Sequence, residues 1–142
     1  MIVYADSSFF VSLYIEDIHS KTAEEHLASG VRVWFTPLHY AECAHAVAQN
    51  VFYRHLSVVD AEQAYSHLEQ DRTAGLWAET QLPDKAFDVC ADLARRHGPA
   101  LGVRTLDSLH VACALELKAE RFWTFDERQA KLARAEGLKT NH

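Results

Sequence analysis

Residues 1–10 read MIVYADSSFF, an apolar run broken at its sixth position by a carboxylate and then two serines. Met1 to Ala5 has the unbroken apolar character of a strand covered on both faces. Asp6 stands where that strand should stop, directly before residues that can begin a helix. An acid there has two uses. It can cap the helix, because Asp is a favoured N-cap, or it can belong to a site, because open α/β sheets bind their ligands beyond the carboxyl ends of their strands. The choice depends on whether strands and helices alternate downstream and whether other acids reach the same edge.

They do alternate. Val31 to Thr36 (VRVWFT), Arg121 to Phe125 (RFWTF) and Leu138 to Thr140 read as further strands. Between them lie helical stretches over Ser7 to Ile15, His19 to Ser29, Pro37 to His55, Asp60 to Thr73, Pro83 to His97, Leu106 to Ala119 and Asp126 to Glu136, although FFVSLYI also fits a strand. Strands separated by helices need crossover connections, so the reading is an α/β fold with a short, mostly parallel sheet and helices on both faces. A length of 142 residues, 49% hydrophobic and 24% charged, predicts one domain over 1–142.

The same composition narrows the function classes. No apolar run approaches the roughly 18 residues of a membrane span, and the N-terminus has no basic stretch leading into one, so no membrane role and a cytoplasmic location are expected. Cys43, Cys90 and Cys113 are odd in number and far apart, which excludes a disulfide framework and a C-x-x-C motif. The net charge of -6 is unevenly spread. Residues 1–94 hold five Lys and Arg against fourteen Asp and Glu, whereas 95–142 hold nine against six. The acidic part disfavours nucleic acid; the basic last third permits one side of a polyanion site.

Four acids map to the edge that Asp6 marks. Asp126 ends the RFWTF strand. Asp107 lies in the first turn of TLDSLHVACALELKA, a segment apolar nearly all round and therefore buried. Glu42 lies about a turn inside PLHYAECAHAV, but helical side chains lean toward the N-terminus, so its carboxylate can reach back. Taken singly, Asp6, Asp107 and Asp126 read as caps and Glu42 as a solvated helix residue. Together they need a cation, since two carboxylates about 4 Å apart repel by about 4 kcal/mol at an effective dielectric near 20. Oxygen donors without thiolates or an imidazole cluster select Mg²⁺ or Mn²⁺ over Zn²⁺.

YADSSFF, LHYAECA, GVRTLDSLHVACAL and FWTFDERQAKLARAEGLKT resemble, in order and spacing over the whole chain, the motifs of PIN-domain ribonucleases. The resemblance is nearest to small single-domain members, the VapC-type toxins of type II toxin-antitoxin pairs. It implies a PIN-like three-layer fold, a metal held by Asp6, Glu42, Asp107 and Asp126, and support from the hydroxyl of Thr124. It implies an endoribonuclease leaving 5′-phosphate and 3′-hydroxyl ends, an RNA substrate, a cognate antitoxin protein and a homodimer.

Other classes fit less well. A phosphatase beginning with Asp after the first strand needs D-x-D, and Ser8 stands at the second position; a receiver domain needs an acidic pair there. A binding module that kept the fold and lost the chemistry would not be expected to keep all four acids. His39, Glu42 and His45 are three apart and not in H-E-x-x-H, which argues against zinc. His110 reads as a hydrogen-bonded packing residue, Ser7 and Ser8 as turn or capping residues with support of Asp6 as the lesser use, and Trp34, Trp77 and Trp123 as core or interface aromatics. Phe9, Phe10, Val11, Leu13, Tyr14 and Ile15 are too many large apolar groups for one buried helix face, so some are expected to lie exposed as a partner surface.

Overall fold

Strand β1 (Ile2–Ala5) is the centre of the fold, with Val3, Tyr4 and Ala5 all fully buried. It is followed by α1 (Ser7–Tyr14), α2 (Ser20–Ala28), β2 (Arg32–Phe35), α3 (Pro37–Phe52), α4 (Val58–Thr73), β3 (Ala78–Glu79), α5 (Ala86–Leu101), α6 (Thr105–Glu116), β4 (Arg121–Trp123), α7 (Glu127–Ala135) and β5 (Lys139–Thr140). This is a computed structural model, and it describes residues 2–141; Met1, the predicted start of the first strand, lies outside them.

The sheet runs β3-β2-β1-β4-β5, and every pairing among the described residues is parallel. Successive strand residues point to opposite faces. Tyr4 and Phe122 therefore enter one core with Leu93, Leu109, Val111 and Leu132, from α5, α6 and α7. Val3, Ala5 and Trp123 enter the other with Phe9, Phe10, Ala23, Cys43 and Leu68, from α1 to α4. Helices thus cover both faces, giving three layers. The strand succession moves one way from β1 through β2 to β3 and the other way from β4 to β5, so β1 and β4 flank the topological switch point. The backbone of Asp6 extends the β1–β4 ladder, its N–H donating to the Trp123 carbonyl at 3.0 Å.

Several boundaries differ from the sequence reading. Strand β3 is absent from that reading because two residues show no periodicity; its register, Trp34 beside Ala78, comes from β2. Helix α5 starts at Ala86, since Pro83 opens a turn whose carbonyl accepts from Ala86 N at 3.0 Å. It then runs through Gly98 and Pro99 to Leu101 and stops at Gly102, whose φ of +66° suits a residue without Cβ. FFVSLYI is helical through Tyr14.

The expectation of an exposed aromatic surface on α1 is overturned at its two phenylalanines. Phe9 and Phe10 are buried, and Phe10 meets the rings of Phe35, His39 and Trp77 edge-on at centroid distances of 5.2, 4.9 and 4.9 Å. The helix is enclosed by α2, α3 and α4 as well as the sheet, so more than one of its faces is covered. Val11, Leu13, Tyr14 and Ile15 are half-buried. Four exposed large apolar groups, Phe52, Tyr53, Val58 and Val59, cluster instead at the α3–α4 tip, and others, Ile18 and Phe87 among them, are scattered over the surface.

Helices α5 and α7 are tied by charge. Arg96 makes a two-pronged contact with Glu136, at 2.9 and 3.0 Å, and His97 Nε2 reaches the same carboxylate at 2.9 Å. The Arg96 guanidinium, with His97, holds the Glu136 carboxyl at about 2. A carboxyl held below its unfolded value of about 4.3 stabilises the fold above that pH, and the contribution is lost as pH falls toward about 2. Glu136→Gln is expected to lower Tm by roughly 3 °C at neutral pH, with the gap from wild type closing across that acid window. Thermal melts of both proteins from pH 7 to pH 2 check this; a constant gap would refute it.

Candidate active site

The site is built at the switch point, where parallel strands bring the starts of α1, α3, α6 and α7 to one edge. All four sequence-predicted acids line a cleft of about 360 Å³ there, with Ser8 and His110 in its wall. A larger groove of about 1050 Å³ shares Ser7, Ser8, Glu42, Arg104 and Asp107 with it and continues along α3 past His45 to Gln49.

Asp6 is at the N-cap of α1 in extended backbone, yet its side chain makes no capping hydrogen bond. The carboxylate accepts from Ser8 Oγ on Oδ1 and from Thr124 Oγ1 at 2.8 Å on Oδ2. Burial pushes its pKa up, and the Ser8 hydroxyl, the charge of His110 and the Thr124 hydroxyl pull against that shift. The Asp6 carboxylate is thus held chiefly by the two hydroxyls, with the Phe9 N–H at the start of α1 the smallest of the pulls on its pKa. Thr124 sits where the motif resemblance puts a supporting hydroxyl. Its single proton has two acceptors in reach, Asp6 Oδ2 and, at 2.7 Å, Gln129 Oε1, and its oxygen accepts from Asp126 N at 3.0 Å.

Glu42 reaches back toward the N-terminus of α3, as its position predicts. Its Oε1 accepts from Ser7 Oγ at 2.7 Å and from His110 Nε2. Burial raises its pKa, but the hydrogen bonds from His110 and Ser7 outweigh burial and hold the carboxyl below its usual range. Nδ1 of His110 lies 2.7 Å from the Tyr4 hydroxyl, so the ring bridges Tyr4 in the core and Glu42 in the cleft. His110 is a packing residue, as expected, and it also orients an acid. Ser7 and Ser8 depart from the main sequence reading, since both serve the acids instead of the helix start. The signal was present: each lies within two residues of Asp6, with its side chain free because Asp6 already occupies the cap position.

Asp107 and Asp126 are held differently. Asp107 Oδ2 accepts from the Arg104 backbone N–H at 3.4 Å and from its Nε at 3.3 Å. Asp126 is a true N-cap, its Oδ1 accepting from Gln129 N at 3.0 Å. Gln129, fully buried, joins the two acids by donating through Nε2 to the Asp107 carbonyl at 3.2 Å. Sequence reasoning missed Gln129, although D-E-R-Q over 126–129 has the cap-x-x-Gln spacing of a capping box. It also missed the parallel stack of His19 on Phe125, with centroids 4.1 Å apart, at the cleft mouth. No local pattern links those two residues.

Each carboxylate is thus turned onto its own partners. Among the described residues, no three His, Cys, Asp or Glu side chains converge as a metal-binding group, though four acids share one cleft. His39 has no part in such a group. It is fully buried, donates through Nε2 to the Ala5 carbonyl at 2.7 Å and accepts on Nδ1 from Thr36 N at 3.0 Å, and burial holds its pKa well below the usual value. Trp77 and Trp123 lie in the core and Trp34 packs against it, as predicted.

Comparison with known proteins agrees with this fold. No curated protein matches the sequence. Among solved structures, the fold is similar to Mycobacterium tuberculosis VapC20, described as a sarcin-ricin loop cleaving toxin, with a TM-score of 0.70 and 18% identity over 97% of this chain and 96% of that one. It is similar to VapBC2 from Rickettsia felis bound to a promoter DNA fragment, with a TM-score of 0.67 and 18% identity over 99% and 98%. FitAcB from Neisseria gonorrhoeae gives a TM-score of 0.69 and 15% identity over 100% and 97%. The PIN domain model matches residues 3–135, which takes in the switch point and all four acids, and on that match the chain belongs to the PIN domain family.

Proposed function

We propose that this protein is a metal-dependent endoribonuclease, the toxin of a toxin-antitoxin pair. The observation that carries the reading is the placement of Asp6, Glu42, Asp107 and Asp126 around one cleft at the switch point of a PIN fold. Two of the similar structures support the pairing by their descriptions, a toxin that cleaves the sarcin-ricin loop and a VapBC2 assembly on promoter DNA.

The donor set fits a hard divalent cation. It offers carboxylate oxygens, and the three thiols, Cys43, Cys90 and Cys113, are buried. Asp6, Asp107 and Asp126 would be the principal ligands of Mg²⁺ or Mn²⁺, with Glu42 acting directly or through water. A cation bound there supplies charge to offset the phosphate and a lowered pKa for water. The chain's own residues do the rest. Ser8 and Thr124 fix the Asp6 carboxylate, His110 and Ser7 hold Glu42 ionised, and Gln129 sets Asp107 against Asp126. The products would carry 5′-phosphate and 3′-hydroxyl ends.

The partners are a cognate antitoxin and, on a separate surface, a second copy of this chain. A single domain over 1–142 acting in the cytoplasm completes the reading. The experiment is incubation of the purified protein with cellular RNA in Mg²⁺, with and without EDTA. Cleavage in Mg²⁺ that stops on chelation and returns with added Mg²⁺ or Mn²⁺ is expected. Binding of RNA without cleavage in either metal would leave a PIN-fold binding module in place of an enzyme.

A further inference from the structure

The acid cleft must admit a polyanion, and one cation stands in its wall. Arg104 lines both the cleft and the larger groove, and among the described residues it is the only Arg or Lys that lines either. It also lines a third hollow beside Asp126, where Arg128 joins it.

Arg104 is poorly suited to the place it holds in α6. It is the N-cap residue, yet its side chain makes no cap hydrogen bond, and a guanidinium has no acceptor to offer. Its positive charge lies at the positive end of the helix, where Ser, Asn or Asp would stabilise. What retains it is Asp107, contacted at 3.3 Å through Nε on one oxygen, and the side chain is 81% exposed. An exposed, single-point ion pair of this kind contributes little to stability, so the guanidinium can turn away at small cost.

We propose that Arg104 binds RNA: its guanidinium leaves Asp107 and takes a phosphate of the bound strand, with two N–H donors on two phosphate oxygens. The inference rests on the nuclease reading above. The forked guanidinium matches phosphate geometry in a way a lysine does not, and the free N–H groups at the start of α6 draw the same anion to the same place. Turning Arg104 from Asp107 to the strand also frees the Asp107 carboxylate while placing positive charge between the acids and the backbone.

The test is fluorescence anisotropy with a short, mixed-sequence single-stranded RNA over a KCl series, with Ca²⁺ in place of Mg²⁺ to slow cleavage. Arg104→Asn is expected to weaken binding about tenfold at low salt and to make the log–log salt dependence shallower by about 0.7. Its Tm should equal or exceed that of wild type, because Asn is the better cap. Arg104→Lys should restore the salt slope but only part of the affinity. In Mg²⁺, KM for RNA cleavage should rise more than kcat falls in Arg104→Asn. Arg104→Gln, which keeps side-chain length without charge, is the second neutral variant and should bind like Arg104→Asn. Wild-type affinity and slope in both neutral variants, or a lowered Tm with unchanged affinity, would show a structural arginine and overturn the proposal. Wild type that neither binds nor cuts RNA would remove the nuclease reading itself; wild type that cuts while the neutral variants match it removes only the role of Arg104.

Discussion

Asp6→Asn is expected to melt within a few degrees of wild type and to cleave RNA in Mg²⁺ at roughly one-hundredth of its rate or less, about 3 kcal/mol of barrier. The fold should survive because no full capping hydrogen bond depends on the Asp6 charge, and asparagine is as good an N-cap. Its two oxygens accept from the hydroxyls of Ser8 and Thr124, and an asparagine can accept from one and donate to the oxygen of the other, since hydroxyls turn to suit. Replacing a buried carboxylate also removes the desolvation that pushes its pKa up. Activity should not survive, because the amide keeps the shape and loses the charge that a divalent ion requires. Thermal unfolding and RNA cleavage are measured on the same preparation. Cleavage within about twofold of wild type would make Asp6 a structural group, and a large loss of stability would do the same.

Phe10→Asp should fail to give a stable fold. The ring is fully buried between the sheet and α3, edge-on to Phe35, His39 and Trp77. Removing it leaves a cavity worth about 3–5 kcal/mol, and an unpaired carboxylate in the same space adds several more, which together approach the whole stability of an ordinary domain. Phe10→Leu should remain folded with a loss of about 1–2 kcal/mol. Urea unfolding of the soluble fraction checks both, and a soluble Phe10→Asp with wild-type unfolding would place the ring at the surface. Tyr14→Asp should also disturb the fold. The Tyr14 hydroxyl donates to Asp71 at 2.6 Å and accepts from Trp77 Nε1 at 3.2 Å, so the new acid would face an existing one. An antitoxin surface is better tested at the exposed Phe52 and Val59.

The alternation of elements and the four acids were legible because both leave short-range marks. A buried parallel strand is a continuous apolar run, and an acid closing such a run breaks a local rule. What was not legible depended on partners distant in the chain. Strand β3 owes its existence to β2, and no period can be read in Ala78–Glu79. The burial of Phe9 and Phe10 depends on how many neighbours enclose α1, which its own sequence does not state. His110 could be seen as hydrogen-bonded but not to what, because Tyr4 and Glu42 are 106 and 68 residues away. Gln129 lay within a recognisable capping pattern and was still passed over, because a cap alone does not announce its second bond to Asp107.

The pairing of Asp6 with Thr124 joins residues 118 positions apart, one just after the first strand and the other just after the fourth. A chain emerging from the ribosome therefore makes Asp6 first and gains the hydroxyl that aims it only 118 residues later. Until β4 docks beside β1, Asp6 lacks the Thr124 hydroxyl on its second oxygen, and Asp126 has not joined the other three acids. The β1–β4 pairing, Tyr4 beside Phe122, spans 118 residues, and contacts of such separation are intrinsically slow to form. The cleft is thus a readout of long-range folding: no shorter stretch of the domain gathers Asp6, Glu42, Asp107 and Asp126 on one wall.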